Sequence, residues 1–171
     1  MKTLIVIDVQ NDFVTGALGT KEAVAVLPNI KKKIEAYLVS GNEVIFTRDT
    51  HGENYLKTNE GRHLPVIHCI KGTEGWQIVK EIDCPGCEHI DKPSFGYTDW
   101  AGLFKDRKMT EIEIVGLCTD ICVISNALIL KAVFPETDIT VDASCCAGVT
   151  PQAHKAALLA MKSCQVNVIG E

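Results

Sequence analysis

The sequence predicts an α/β domain built on a mostly parallel sheet, and three observations carry that expectation. Short apolar runs without alternation stop abruptly at polar residues, as strands covered on both faces do. Segments with helical spacing separate those runs, so strand and helix alternate along the chain. Of 171 residues, 46% are hydrophobic and 23% charged, a balance that can bury a core without staples. Residues 1–171 therefore read as one domain. Disorder, collagen and coiled coil are excluded by the same composition.

Leu4-Ile5-Val6-Ile7 is the first apolar run and ends at Asp8. Leu27, Ile30, Ile34, Tyr37 and Leu38 follow at helical spacing, and Gly41 closes that helix. Val44 to Thr47 is the second strand, stopping at Arg48-Asp49. A long loop then runs from about Thr50 to Gly75, and such loops in compact domains are usually functional. His89 to Asp91 is a short strand ahead of Lys92-Pro93, and Asp99 is placed to cap a short helix carrying Trp100, Leu103 and Phe104. Glu111 to Leu117 is a strand, Asp120 to Phe134 a helix, and Ile139 to Val141 another strand. Pro151 opens a helix to Ser163, where its missing N–H costs least. Val166 to Ile169 is the last strand. In such sheets the ligand lies beyond the carboxyl ends of the strands, near a switch in strand order. Asp8, Asp49, Lys92 and the stretch after Leu117 are thus the residues to inspect.

Net charge is −5, from 17 basic and 22 acidic residues spread along the chain. That gives no electrostatic footprint for nucleic acid or an anionic membrane. The opening apolar run is too short for a membrane span or a signal segment. A cytoplasmic protein with reduced thiols is expected, although the chain has eight cysteines.

Two of them stand out. Gly116 to Val123 runs from a strand into a helix and carries Cys118 and Cys122. A helix N-terminus stabilises a thiolate, and its free N–H groups can hold an oxyanion. Asp8 as base and Lys92 as cation are chemical partners at other strand ends; alternatively both thiols are small buried hydrophobes. Asp49-x-His51 puts a carboxylate and an imidazole on one side of an extended segment, and the long loop adds Glu60, His63 and His68. These are acceptable ligands for Zn2+, Mn2+ or Fe2+, or else loop residues hydrogen-bonded to one another. Cys84-Pro85-Gly86-Cys87, with His89 nearby, could be half a zinc site or a redox pair. It reads more simply as a turn, and no second C-x-x-C completes four zinc ligands. Cys164, just after a helix, reads as packed.

Ile7-Asp8-Val9-Gln10-Asn11-Asp12-Phe13, Asp49-Thr50-His51, His68-Cys69-Ile70-Lys71-Gly72-Thr73, Lys92 before Pro93, and Gly116 to Val123 occur in that order. Together they resemble the isochorismatase-like cysteine hydrolases, the superfamily containing nicotinamidases. The resemblance spans nearly the whole chain. It implies a Rossmann-like three-layer α-β-α sandwich with about six strands. It also implies an Asp8-Lys92-Cys122 triad and a non-proline cis peptide before Cys118. The backbone N–H groups of Cys118 and Cys122 would form the oxyanion hole. A divalent ion, zinc first, would sit on Asp49, His51, His68 and a fourth ligand nine residues after His51. That position is Glu60, preferred to His63.

The implied chemistry is hydrolysis of a small-molecule amide, with nicotinamide to nicotinate as the first expectation. N-carbamoyl or ureido amides are the alternative, and a thiol or zinc protein built on Cys84 and Cys87 is a second one. Residues 60–67 hold no tryptophan where many nicotinamidases carry one. Phe13, Leu64, Phe95 and Tyr97 flank the motifs as candidate pocket walls, whereas Trp100 reads as core. The apolar faces of Ile121 to Phe134 and Ala153 to Met161 fit either a homo-oligomer, a dimer or tetramer of the kind the family commonly forms, or a well-covered central helix.

Overall fold

Six strands, β1 (Lys2–Ile7), β2 (Glu43–Asp49), β3 (Glu88–Lys92), β4 (Glu111–Leu117), β5 (Asp138–Ala147) and β6 (Asn167–Ile169), form one sheet. In the computed structural model, which describes residues 2–171, they lie in the order β3-β2-β1-β4-β5-β6. Every neighbouring pair is parallel. The unbroken apolar run of β1 has its cause here. Leu4 and Val6 enter one core, Ile5 and Ile7 the other. The first core packs α2 (Lys21–Val39) against the sheet through Ile30 and Ile34. The opposite core packs α5 (Ile124–Val133) through Ala127 and Leu130, and α6 (Pro151–Ser163) through Leu158 and Met161. That is the three-layer α-β-α sandwich expected.

Local chemistry sets the helix ends. The Thr20 hydroxyl accepts from Ala23 N–H at 3.0 Å and starts α2 earlier than the apolar spacing suggested. Thr150 does the same for α6, accepting from Ala153 N–H at 3.1 Å. A four-residue helix, α1 (Asn11–Val14), follows β1. The stretch expected to be a long loop carries one 3-10 turn at Tyr55–Lys57 and a short helix, α3 (Asn59–His63). Thr58 caps α3 by accepting from Gly61 N–H. Asp99 caps α4 (Trp100–Leu103), as expected, accepting from Gly102 N–H at 3.1 Å.

Two expectations need correcting. The strand placed at residues 139–141 runs on to Ala147, because Cys145 and Cys146 alternate between the two cores as small buried residues. Cys164 is exposed rather than packed. Of the apolar helix faces, α5 carries no large exposed hydrophobic side chain among the described residues, and α6 exposes Leu159. No helix among the described residues is long and apolar enough to cross a membrane.

Chain order fixes where a site can form. From β1 the sheet grows outward through β2 and β3, and then β4 returns to the other side of β1. The switch point therefore lies between β1 and β4, and the carboxyl ends of β1 to β4 open on one edge. Register brings Ile7 opposite both Thr47 and Gly116, and Asp49 opposite Lys92. Gly116, at φ +120°, is required there, since a Cβ would collide with the Ile7 backbone.

Away from that edge, Lys33 of α2 ties the helix to the sheet through ion pairs with Glu113 and Asp142, the latter at 2.5 Å. The Tyr37 hydroxyl donates to Glu113 at 2.6 Å. Asp142 is held below the ordinary aspartate range, burial being outweighed by Lys33 and Ser144. Lys33 is raised, burial again being outweighed by Asp142 and Glu113. A depressed carboxylate contributes stability above its unfolded value and loses it as pH falls through the folded one. A raised ammonium loses its contribution only as pH rises through its folded value. The cluster's contribution is thus flat through neutral pH. Lys33→Met should lower stability at pH 7 by about 1–3 kcal/mol, less than for a fully enclosed pair because Lys33 is partly exposed. Urea midpoints of the two proteins check this. An unchanged midpoint contradicts it.

Candidate active site

Four strand ends deliver the polar groups. Asp8, one residue past β1, is fully buried and adopts a left-handed backbone at φ +48°, which costs a non-glycine residue energy. Thr47 of β2 holds it, the hydroxyl donating to Asp8 Oδ1 at 2.7 Å. Lys92, the last residue of β3, is also fully buried. Its ammonium contacts Asp8 Oδ2 at 2.6 Å and donates to the Ser94 carbonyl at 2.9 Å. Asp49 Oδ1 and Cys122 Sγ each lie 3.5 Å from the same nitrogen. An ammonium so enclosed persists only because these acceptors replace water.

Cys122 arrives from β4. The Leu117-Cys118 peptide is cis, and the chain then makes a wide π-type turn over Thr119–Val123 before α5. The Cys118 carbonyl accepts from the N–H groups of Ile121 and Val123, bracketing Cys122. Asn126, one turn on, donates to the Cys122 carbonyl at 2.8 Å and fixes the turn against α5.

The electrostatics depart from a resting thiolate. Burial pushes the Cys122 thiol well up and Asp8 adds to this, while Lys92 pulls it back. Burial likewise raises Asp8 against the pull of Lys92. Lys92 stays charged: burial would lower it, but Asp8, Cys122 and Asp49 outweigh burial. A proton on Cys122 thus lies in the same buried group as Asp8, beside a charged Lys92. Moving it from sulfur to carboxylate conserves net charge, and a raised Asp8 is suited to take it. Cys118 is pushed up to about 12 by burial and then Asp120.

Beside this group, Asp49, His51, Glu60 and His68 each offer a ligand atom, all within 4.8 Å of one another. His51 Nε2 lies 2.9 Å from Asp49 Oδ2 and 3.5 Å from Glu60 Oε1. His68 Nε2 lies 3.6 Å and 3.8 Å from the same two oxygens. The Val66 carbonyl can only accept, so His68 Nδ1 donates to it at 2.7 Å and Nε2 is free for the cluster. His63 is outside, exposed and bonded through Nδ1 to the Asn59 carbonyl. Burial and then the Asp49 carboxylate raise Glu60, against the pull of His51, His68 and Lys92. Two imidazole nitrogens and two carboxylate oxygens at this spacing fit a tetrahedral divalent ion.

Sequence reasoning missed several supports. Gln10, fully buried, clamps the Asp49 backbone: Oε1 accepts from Asp49 N–H at 2.7 Å, and Nε2 donates to the Asp49 and Trp76 carbonyls. Tyr55 packs its ring 4.6 Å from that of His51 and 4.9 Å from that of His68. Its hydroxyl donates to the Leu64 carbonyl. Gln10 was readable as a polar residue following a buried strand, whereas Tyr55 had no signal.

A cavity of about 280 Å³ opens beside these groups. Asp49, Glu60 and His68 line one part, with Cys118 and Cys122 also in its lining. Phe13, Leu18, Leu64, Phe95, Ile121 and Val149 supply an apolar wall. Tyr97 is not part of it. Its N–H is drawn to Asn126 Oδ1 at 2.9 Å and its ring stands edge-on to Trp100, itself fully buried in the core.

Known proteins resemble this chain in sequence and in fold. The family model described as the isochorismatase domain matches residues 2–170. An isochorismatase family protein of Bacillus subtilis is 31% identical over 141 residues, covering 74% of this chain and 76% of that one. The nicotinamidase/pyrazinamidase of Mycobacterium tuberculosis is 26% identical over 188 residues, covering 99% and 98%. The pyrazinamidase of Pyrococcus horikoshii, crystallised in complex with zinc, superposes with a TM-score of 0.87 at 27% identity, covering 99% of each chain.

The metal cluster makes a prediction. Protein purified without chelator should carry about one divalent ion per chain. Glu60→Ala and His68→Ala should lose most of it, and His63→Ala should keep it. Elemental analysis checks this, and retention by Glu60→Ala with loss by His63→Ala would contradict the assignment.

Proposed function

The chain belongs to the isochorismatase family, and from that premise we propose that it is a cysteine-dependent hydrolase of small-molecule amides, with nicotinamide as the leading substrate. The carrying observation is the fully buried Lys92 ammonium, which touches the Asp8 carboxylate at 2.6 Å and the Cys122 sulfur at 3.5 Å beside the cavity.

The reaction follows from those contacts. As Cys122 Sγ approaches the amide carbonyl carbon, its proton passes to Asp8, and Lys92 holds both charges in place. The oxyanion is received by the backbone N–H groups of Cys118 and Cys122. Asp8 returns the proton to the departing nitrogen, so ammonia leaves and a thioester remains. Asp8 then takes a proton from water, which attacks the thioester and frees Cys122. Asp49, His51, Glu60 and His68 would hold a divalent ion, zinc by the chemistry of the donors. When bound it supplies a Lewis-acid point on the cavity wall for a substrate heteroatom or water. Phe13 and Phe95 offer faces for a planar ring, and Leu64 stands in the stretch that lacks tryptophan. This last feature keeps N-carbamoyl and ureido amides as a second reading. A cytoplasmic place of action is part of the same reading.

Cys122→Ala should lower turnover at least about 10³-fold, as loss of a nucleophile does. Cys118→Ala, which keeps its backbone N–H, should stay within about tenfold of the parent. Comparable activity in Cys122→Ala overturns the nucleophile. An ammonia-release screen over nicotinamide, pyrazinamide, carbamoyl amines and ureido acids, run on metal-loaded protein, identifies the substrate. Release from nicotinamide or pyrazinamide is expected. Silence across the whole set overturns the amidase reading.

A further inference from the structure

The Cys84-Pro85-Gly86-Cys87 motif lies outside the chemistry above. It forms a tight turn in which Cys87 N–H donates to the Cys84 carbonyl at 2.8 Å. That i to i+3 closure keeps the two Cα atoms within about 7 Å, a range a disulfide can bridge. Both thiols are half-buried against the α2-side core, while Pro85 and Gly86 between them are exposed. The pair is therefore reachable by a small reagent. The thiols also act on each other: burial and then the Cys84 thiol push Cys87 up to about 12. Cys87 consequently holds its proton beside Cys84, the arrangement in which one sulfur attacks and its neighbour waits.

A zinc site is the other use for such a pair, and the surroundings oppose it. Four ligands are needed. His89, the nearest candidate, has Nδ1 on the Cys87 carbonyl at 3.0 Å and Nε2 on Asp83 at 2.9 Å. The one cluster of three or more possible metal ligands among the described residues is at Asp49.

We propose that Cys84 and Cys87 form a reversible thiol-modification site that closes to an intramolecular disulfide with a low-molecular-weight disulfide such as oxidised glutathione. Cys84 thiolate attacks one glutathione sulfur, its S–S bond breaks, and one glutathione leaves and takes a proton from water. Cys87 then gives its proton to water and attacks Cys84 Sγ in the mixed disulfide, expelling the second glutathione. The dithiol is oxidised by two electrons and glutathione disulfide is reduced to two glutathiones. The turn precedes β3 and Lys92 ends that strand, so the disulfide forms roughly 15 Å from the catalytic ammonium and spares it.

The test equilibrates metal-loaded protein with reduced and oxidised glutathione over a range of ratios. Free thiols are then alkylated and mapped by mass spectrometry. As the ratio becomes oxidising, alkylation at Cys84 and Cys87 should disappear together, without a glutathione adduct. The tryptic mass should fall by the two hydrogens lost. Cys84→Ser should leave Cys87 largely unmodified, and Cys87→Ser should stop at a single glutathione adduct on Cys84. Phenylarsine oxide, which bridges close dithiols, should protect both cysteines from alkylation in the parent and neither in the single variants. Alkylation of both thiols at every ratio, or a parent that stops at the mixed disulfide, overturns the proposal. A disulfide that uses any other cysteine overturns it as well.

Discussion

A lysine ammonium with no solvent exposure is the constraint on which the rest of the structure depends. Removing that charge from water costs several kcal/mol even after relaxation, and nothing apolar can offset it. Lys92 keeps its charge because Asp8, the Ser94 carbonyl, Asp49 and Cys122 surround it. These groups come from different strand ends and the loops beyond them. The parallel sheet satisfies them together because β3, β2, β1 and β4 are adjacent and open on one edge. The glycine at 116 is a consequence of the close approach of β4 to the Ile7 backbone at the switch point.

Asp49 links the two halves of the site. One carboxylate oxygen lies 3.5 Å from Lys92, and the other lies 2.9 Å from His51. Asp49 is held far below the ordinary aspartate range, burial being outweighed by the two histidines and Lys92. Substitution there would disturb the cation beside Cys122 and the cluster of His51, Glu60 and His68 together. Gln10 and Tyr55, which touch neither sulfur nor substrate, position this joint from behind.

Much of this was legible in the sequence, for physical reasons. A strand covered on both faces must be apolar without alternation, so β1 and β2 announced themselves, and the polar residues that stop each run marked the edge. Ordered motifs named Asp8, Lys92 and Cys122 before their distances were known. What escaped depended on tertiary contacts. The polar and thiol residues of β5 carry no strand pattern, because Cys145 and Cys146 behave as small apolar side chains only once both cores exist. The α3 helix at 59–63 is too short for periodicity and is held by the Thr58 cap. Tyr97 sits beside the motifs in sequence, yet its N–H goes to Asn126 and its partly buried ring packs on Trp100, outside the cavity lining.

The central claim is covalent: the acyl group passes through Cys122. Acid quenching of the metal-loaded protein during turnover of nicotinamide, followed by peptide mass analysis, tests it most directly. The account predicts a nicotinoyl adduct on the peptide containing Cys122 that appears and decays with the reaction. Turnover with no adduct at any quench time, or an adduct on Cys118, would contradict it.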